Sequence, residues 1–194
     1  MKLRNRYFLL RHGKTIYQTK KRTKIYPWPD VPPIKITKQS EKEIRRVARS
    51  LKKEEIDYIY CSDIFRAKQT AEIVAQELGL KIKLDKRLRD LNIGIYQGGN
   101  KKDFFRDFPV SDPKKRFDGR PQNGESWKDL KKRIKEFIAD TEKRHHKKNI
   151  LLVSHGDPLE ILMGIVRNMR DKEISREIVT RKLHISPGEL QQLN

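Results

Sequence analysis

A chain of 194 residues with 46 Lys plus Arg against 26 Asp plus Glu, formally +20 at pH 7, has room for one full core and too little for two. Its one cysteine, Cys61, excludes an internal disulfide and reads as a small buried residue of a protein kept reduced; residues 7–10 are too short an apolar run for a signal peptide and nothing approaches a membrane span, so the expected place is cytoplasmic, with no membrane partner. The positive field draws phosphorylated metabolites and nucleic acid alike, but the basic residues are spread over nearly every segment, which favours solvated helix faces over a nucleic-acid surface.

Residues 7–10 (Tyr-Phe-Leu-Leu) predict a short strand buried on both faces, ending in Arg11-His12-Gly13. Arginine holds phosphate oxygens bidentately and histidine is both nucleophile and near-neutral titrating group, so the pair suits a phosphate that is held and attacked. Residues 14–37 read as irregular, broken by Pro27, Pro29, Pro32 and Pro33, with Tyr26 and Trp28 pinning the loop to the core. In residues 38–53 the spacing of Ile44, Val47, Ala48 and Leu51 predicts a helix with one apolar stripe. A second strand, 57–61, leads to a helix capped by Asp63, facing inward through Ala67, Thr70, Ala71, Val74, Ala75 and Leu78 and ended by Gly79. Arg66 falls in its first turn, where the dipole disfavours a cation, and this argues for an anion nearby.

A short strand at 81–84 precedes the loop Arg87-Leu88-Arg89-Asp90-Leu91-Asn92-Ile93-Gly94, and 101–107 reads as a short helix. From Glu125 a long amphipathic helix presents Trp127, Leu130, Ile134, Phe137 and Ile138, and His145-His146 reads as its frayed, solvated end rather than a metal site. Residues 149–154 repeat the first strand's logic and close on Ser154-His155-Gly156. Two strands that each deliver a histidine at the carboxyl edge of a sheet fit the rule that open α/β sheets bind ligands there. Pro158 then opens a last core helix, 174–185 reads as an edge strand or pair, and Ser186-Pro187-Gly188 as a turn; His184 is assigned a structural or exposed place.

Arg11-His12-Gly13, Ser62-Asp63 to Arg66-Ala67 with Gln69-Thr70-Ala71, Gly124-Glu125-Ser126 and Ser154-His155-Gly156 stand in an order that resembles the histidine phosphatase (phosphoglycerate mutase-like) superfamily. The resemblance implies an α/β fold over residues 1–194: a three-layer αβα sandwich with a mostly parallel central sheet. It implies a phosphomonoesterase for a small phosphorylated metabolite, working without metal or cofactor because fixed cations do that work. His12 is then the nucleophile, while Arg11, Arg66, a protonated His155 and Gly156 hold the phosphoryl group. Gln18 stands where relatives carry a phosphate-holding asparagine. Asp90 stands where they carry a glutamate that protonates the leaving group, one methylene shorter here; Glu125 is its rival, and the plainer reading pairs Asp90 with Arg87 or Arg89. The mutase branch has a longer insertion after the proton donor, so its absence points to a compact phosphatase. Phosphoryl transfer by a mutase and polyanion or RNA binding by a weakly active relative stay open as alternatives.

Overall fold

The computed structural model describes residues 1–109 and 112–194. In chain order its elements are β1 (Arg6–Arg11), α1 (Ile16–Thr19), α2 (Lys38–Ser50), β2 (Tyr58–Cys61), α3 (Phe65–Leu78), β3 (Ile82–Leu84), α4 (Lys101–Asp107), α5 (Pro113–Asp118), α6 (Trp127–Arg144), β4 (Asn149–Ser154), α7 (Gly156–Val166), α8 (Asp171–Val179) and β5 (Leu190–Gln192). The sheet runs β3-β2-β4-β1-β5; β5 alone is antiparallel to its neighbour.

Side chains alternate across a strand, and here both sides are covered. Tyr7 and Leu9 of β1, with Ile150 and Leu152 of β4, join the core under α6 and α7. Phe8 and Leu10, with Leu151 and Val153, join the core under α2 and α3. This is the expected three-layer arrangement. The register pairs Arg11 with Ser154 and Cys61 with Val153. β2, β4 and β1 therefore stop at one level, and Ser62, His155 and His12 emerge side by side.

α6 begins in a capping box: the Ser126 hydroxyl accepts from the Asp129 N–H, and the Asp129 carboxylate accepts from the Ser126 N–H. Its expected face, Trp127, Leu130, Ile134, Phe137 and Ile138, is buried throughout. Ser126→Ala removes that cap and lowers stability by about 1 kcal/mol, to be read as a lower midpoint in urea with an unchanged slope. Gly79, at φ +68°, ends α3 as expected.

Three expectations are corrected. Residues 174–185 contain no strand; α8 occupies their first half. Ile174 and Ile178, four apart, share one helical face, and Ile174 packs onto Gly164 of α7, where a Cβ would stand 2.6 Å from the Ile174 side chain. Docking of that face outweighs the β-propensity of the isoleucines. Asp63 does not cap α3: Ile64 holds the cap position without a side-chain bond, and Asp63 is clamped by Arg89 at 2.6 and 2.5 Å. His145 is no frayed end, since its Nε2 lies 2.9 Å from the Tyr60 hydroxyl and its ring packs on Tyr58. Among the described residues no helix is long and apolar enough to cross a membrane.

Candidate active site

At the carboxyl edge of the sheet the His12 and His155 rings lie 5.1 Å apart, centroid to centroid. Neighbouring parallel strands of equal register leave them no other arrangement. His12 Nδ1 is 2.8 Å from the Gly13 carbonyl, so this nitrogen carries the proton and Nε2 presents its lone pair. Arg66 fills that position, donating from Nε to His12 Nε2 at 3.2 Å and from Nη2 to Asp90 at 3.0 Å. Burial, then Arg66 and Arg11, hold the His12 imidazole well below its ordinary pKa. It is neutral, as an attacking nitrogen must be.

His155 is joined through Nε2 to the Ser62 hydroxyl at 2.9 Å, while its Nδ1 lies 3.7 Å from Asp90 and has no hydrogen-bond partner among the described residues. Burial, followed by Arg66, also drives its pKa well down. In the unliganded protein burial and the two guanidinium groups thus disfavour the charged ring; the expectation of a protonated His155 concerns the phosphate-bound state. Arg11 donates from Nη1 to the Ile185 carbonyl at 2.8 Å, and its buried Nε has no partner among the described residues. Its guanidinium lies against Gly156, where a Cβ would come within 3.2 Å of it. Any larger residue at 156 would push Arg11 aside.

The plainer pairing for Asp90 is not found. Arg87 is taken by Asp85 and Asp140, Arg89 by Asp63. The loop carrying Asp90 is fastened by the Ser154 hydroxyl to the Leu88 carbonyl at 2.6 Å, and by Arg133 to the Asp90 carbonyl at 3.1 Å and to that of Arg87. Glu125 holds Arg133 through both carboxylate oxygens, at 2.6 and 3.0 Å, and accepts from the Asn92 N–H. Glu125 thus braces the loop on which Asp90 stands.

Gln18 reaches the cavity, but its amide is engaged by the Thr15 N–H at 2.9 Å and the Tyr26 hydroxyl at 2.8 Å. What it positions is Tyr26, whose ring stacks on Tyr17 and lies 3.8 Å from the Arg66 guanidinium. Tyr26 both pins the loop and roofs the site. Trp28 does not pin it: 47% exposed, it stands on the rim with Arg89 over its ring at 5.1 Å.

Above this floor opens a cavity of about 750 Å³, lined among others by Arg11, Arg66, Asp90, Tyr26, Lys101, Arg116, Asp157, Glu160 and His184. Neither imidazole is open to solvent; Arg66 and Asp90 are the groups that join them to the cavity. Sequence reasoning missed Arg116, Asp157 and Glu160 and placed His184 elsewhere. A signal existed for one of them, since Glu160 is an acid within the apolar helix α7. Burial, then Asp157, pushes Glu160 up to about 8, and burial, then Asp90, pushes Asp157 up to about 6. Glu160 binds protons more tightly folded than unfolded, so it favours the fold at low pH and opposes it as pH rises towards 8. Glu160→Gln therefore stabilises the protein at pH 8, on the order of 2 kcal/mol, and leaves it unchanged at pH 4, as thermal melts at the two values will register.

The sequence model of the "Histidine phosphatase superfamily (branch 1)" matches residues 7–187. The chain belongs to this superfamily. It is a histidine phosphatase enzyme. The chain is 34% identical over 165 residues to the probable phosphoglycerate mutase GpmB of Escherichia fergusonii, covering 82% of this chain and 73% of that one. Among solved structures, the mycobacterial glucosyl-3-phosphoglycerate phosphatase superposes with a TM-score of 0.81 at 21% identity, over 96% of this chain and 88% of that one. YhfR of Bacillus stearothermophilus superposes with a TM-score of 0.74 at 26% identity, over 88% and 83%. This histidine phosphatase thus shares its fold with a phosphatase named for glucosyl-3-phosphoglycerate and is similar in sequence to a probable phosphoglycerate mutase.

Proposed function

We propose that this chain is a metal-independent phosphomonoesterase for a small phosphorylated metabolite, acting through a phosphohistidine on His12. One observation carries the reading: a neutral imidazole turns its Nε2 lone pair to Arg66, and in the same site Arg11 Nε and His155 Nδ1 are buried with no hydrogen-bond partner among the described residues. A phosphoryl group would supply oxygens to both and take over the Arg66 donors now directed at His12 and Asp90. His155, neutral without an anion, gains a proton when a dianion lies beside it.

In the first step His12 Nε2 forms a bond to phosphorus as the ester P–O bond breaks in line, and the Asp90 carboxyl delivers its proton to the departing oxygen. Arg11, Arg66 and His155 carry the charge on the non-bridging oxygens. In the second step water forms the new P–O bond, its proton returns to Asp90, and His12 leaves with its electron pair. Inorganic phosphate and an alcohol are the products.

The name of the mutase relative favours a second reading, in which the phosphoryl group is passed to another hydroxyl instead of water. Incubation with 3-phosphoglycerate, scoring free phosphate against the 2-isomer, separates the two. Isomer without phosphate would establish the mutase; phosphate release from this and other esters supports the phosphatase.

A further inference from the structure

Beyond the phosphoryl site the cavity holds a second set of groups that the chemistry above leaves unused. Arg116 of α5 lies flat against two aromatic rings, 4.5 Å from Trp127 and 5.3 Å from Phe105. Among the described residues its buried Nε and Nη1 have no hydrogen-bond partner. Asp157 follows Gly156, against which Arg11 rests, and all three line the same cavity. Arg116 and Asp157 act on one another electrostatically, yet among the described residues neither forms an ion pair within 4.0 Å. Behind them Glu160 is tied to His184 Nδ1 at 3.2 Å, and Arg181 to His184 Nε2 at 3.1 Å, which closes the far wall.

Resting on the phosphomonoesterase reading, we propose that Asp157 and Arg116 form a leaving-group subsite that reads hydroxyls, and that the alcohol released is a polyol or sugar. A hydroxyl both donates and accepts. Placed in the gap, one hydroxyl or two adjacent ones give a hydrogen to Asp157 and a lone pair to Arg116. The other small leaving groups fit less well. A carboxylate would enter beside Asp157 and Asp90, against like charge. An alkyl chain would leave the guanidinium nitrogens buried and unpaired. A lone amine would answer Asp157 and set a cation beside Arg116.

The test reads binding without turnover. Ribose 5-phosphate, 3-phosphoglycerate, phosphoserine and inorganic phosphate are titrated calorimetrically into the His12→Ala protein, and again after adding Asp157→Ala or Arg116→Gln. Ribose 5-phosphate binds at least about tenfold more tightly than inorganic phosphate, and either second substitution removes most of that margin. The proposal is overturned if the margin survives both substitutions, if it is absent from the start, or if 3-phosphoglycerate or phosphoserine binds more tightly than the sugar phosphate. Circular dichroism confirms that the doubly substituted proteins are folded, and Arg116→Gln, at the cavity wall, stands as a check on Asp157→Ala. Failure of the phosphatase reading shows separately, as no release of phosphate from any ester by the unsubstituted enzyme.

Discussion

Substitution of His12 by alanine lowers phosphate release by at least about 10³-fold, because it deletes the group proposed to form the covalent intermediate. Arg11, Arg66 and His155 remain, so substrate still binds and the loss falls on kcat far more than on KM. Rapid acid-free quenching of the unsubstituted enzyme with a labelled ester traps a base-stable, acid-labile phosphoryl group on the protein. The variant traps none. Full activity in His12→Ala, or an equal label on both proteins, would remove His12 from the mechanism. The substitution is also a mild one for the fold. It takes away the acceptor of the Arg66 Nε donor, but Arg66 keeps its bond to Asp90, and the Gly13 backbone keeps its bond to the Thr70 hydroxyl.

The second large effect separates Asp90 from Glu125. Asp90→Asn lowers turnover of an alkyl phosphate by about 10²-fold or more, since an alkoxide leaves poorly without a proton. Turnover of p-nitrophenyl phosphate falls much less, because that leaving group departs as a stable phenolate. Glu125→Gln behaves differently. It loosens the clamp on Arg133 and shifts the Asp90 loop, so both esters slow in the same proportion. Should Glu125→Gln show the leaving-group dependence and Asp90→Asn not, the proton donor is Glu125. Asp90→Glu, restoring the reach of one methylene, gives a third point: activity at or above that of the unsubstituted enzyme is expected, provided Arg66 can still bridge to the longer side chain.

Much of the architecture was readable from local pattern. Residues 7–10 and 150–153 are unbroken apolar runs, which only a strand covered on both faces requires, and each closes on His-Gly. The stripes of α2 and α6 declare helices by their spacing alone. α8 was not readable: Ile174, Ile178 and Val179 carry strand propensity, and what makes them helical is the groove at Gly164, ten residues upstream of Ile174. The roles of the loop residues were equally hidden. Asp63, Asp85 and Asp140 each compete with Asp90 for nearby arginines, and a linear chain does not say which pairs form.

What the sequence by itself determined is the set of reactive groups: two His-Gly strand ends, an arginine closing β1 and another after β2, and an acid in the loop after β3, together with the family they mark. Those are properties of short segments, written in residue type and period. Only the tertiary structure decided their state and reach. The order β2-β4-β1 brings His12 and His155 to 5.1 Å, burial beside Arg11 and Arg66 strips both rings of their charge, and the fold carries Arg116 and Asp157 to one cavity. Protonation and contact depend on distance and on exclusion of water, and neither quantity exists until the chain has closed on itself.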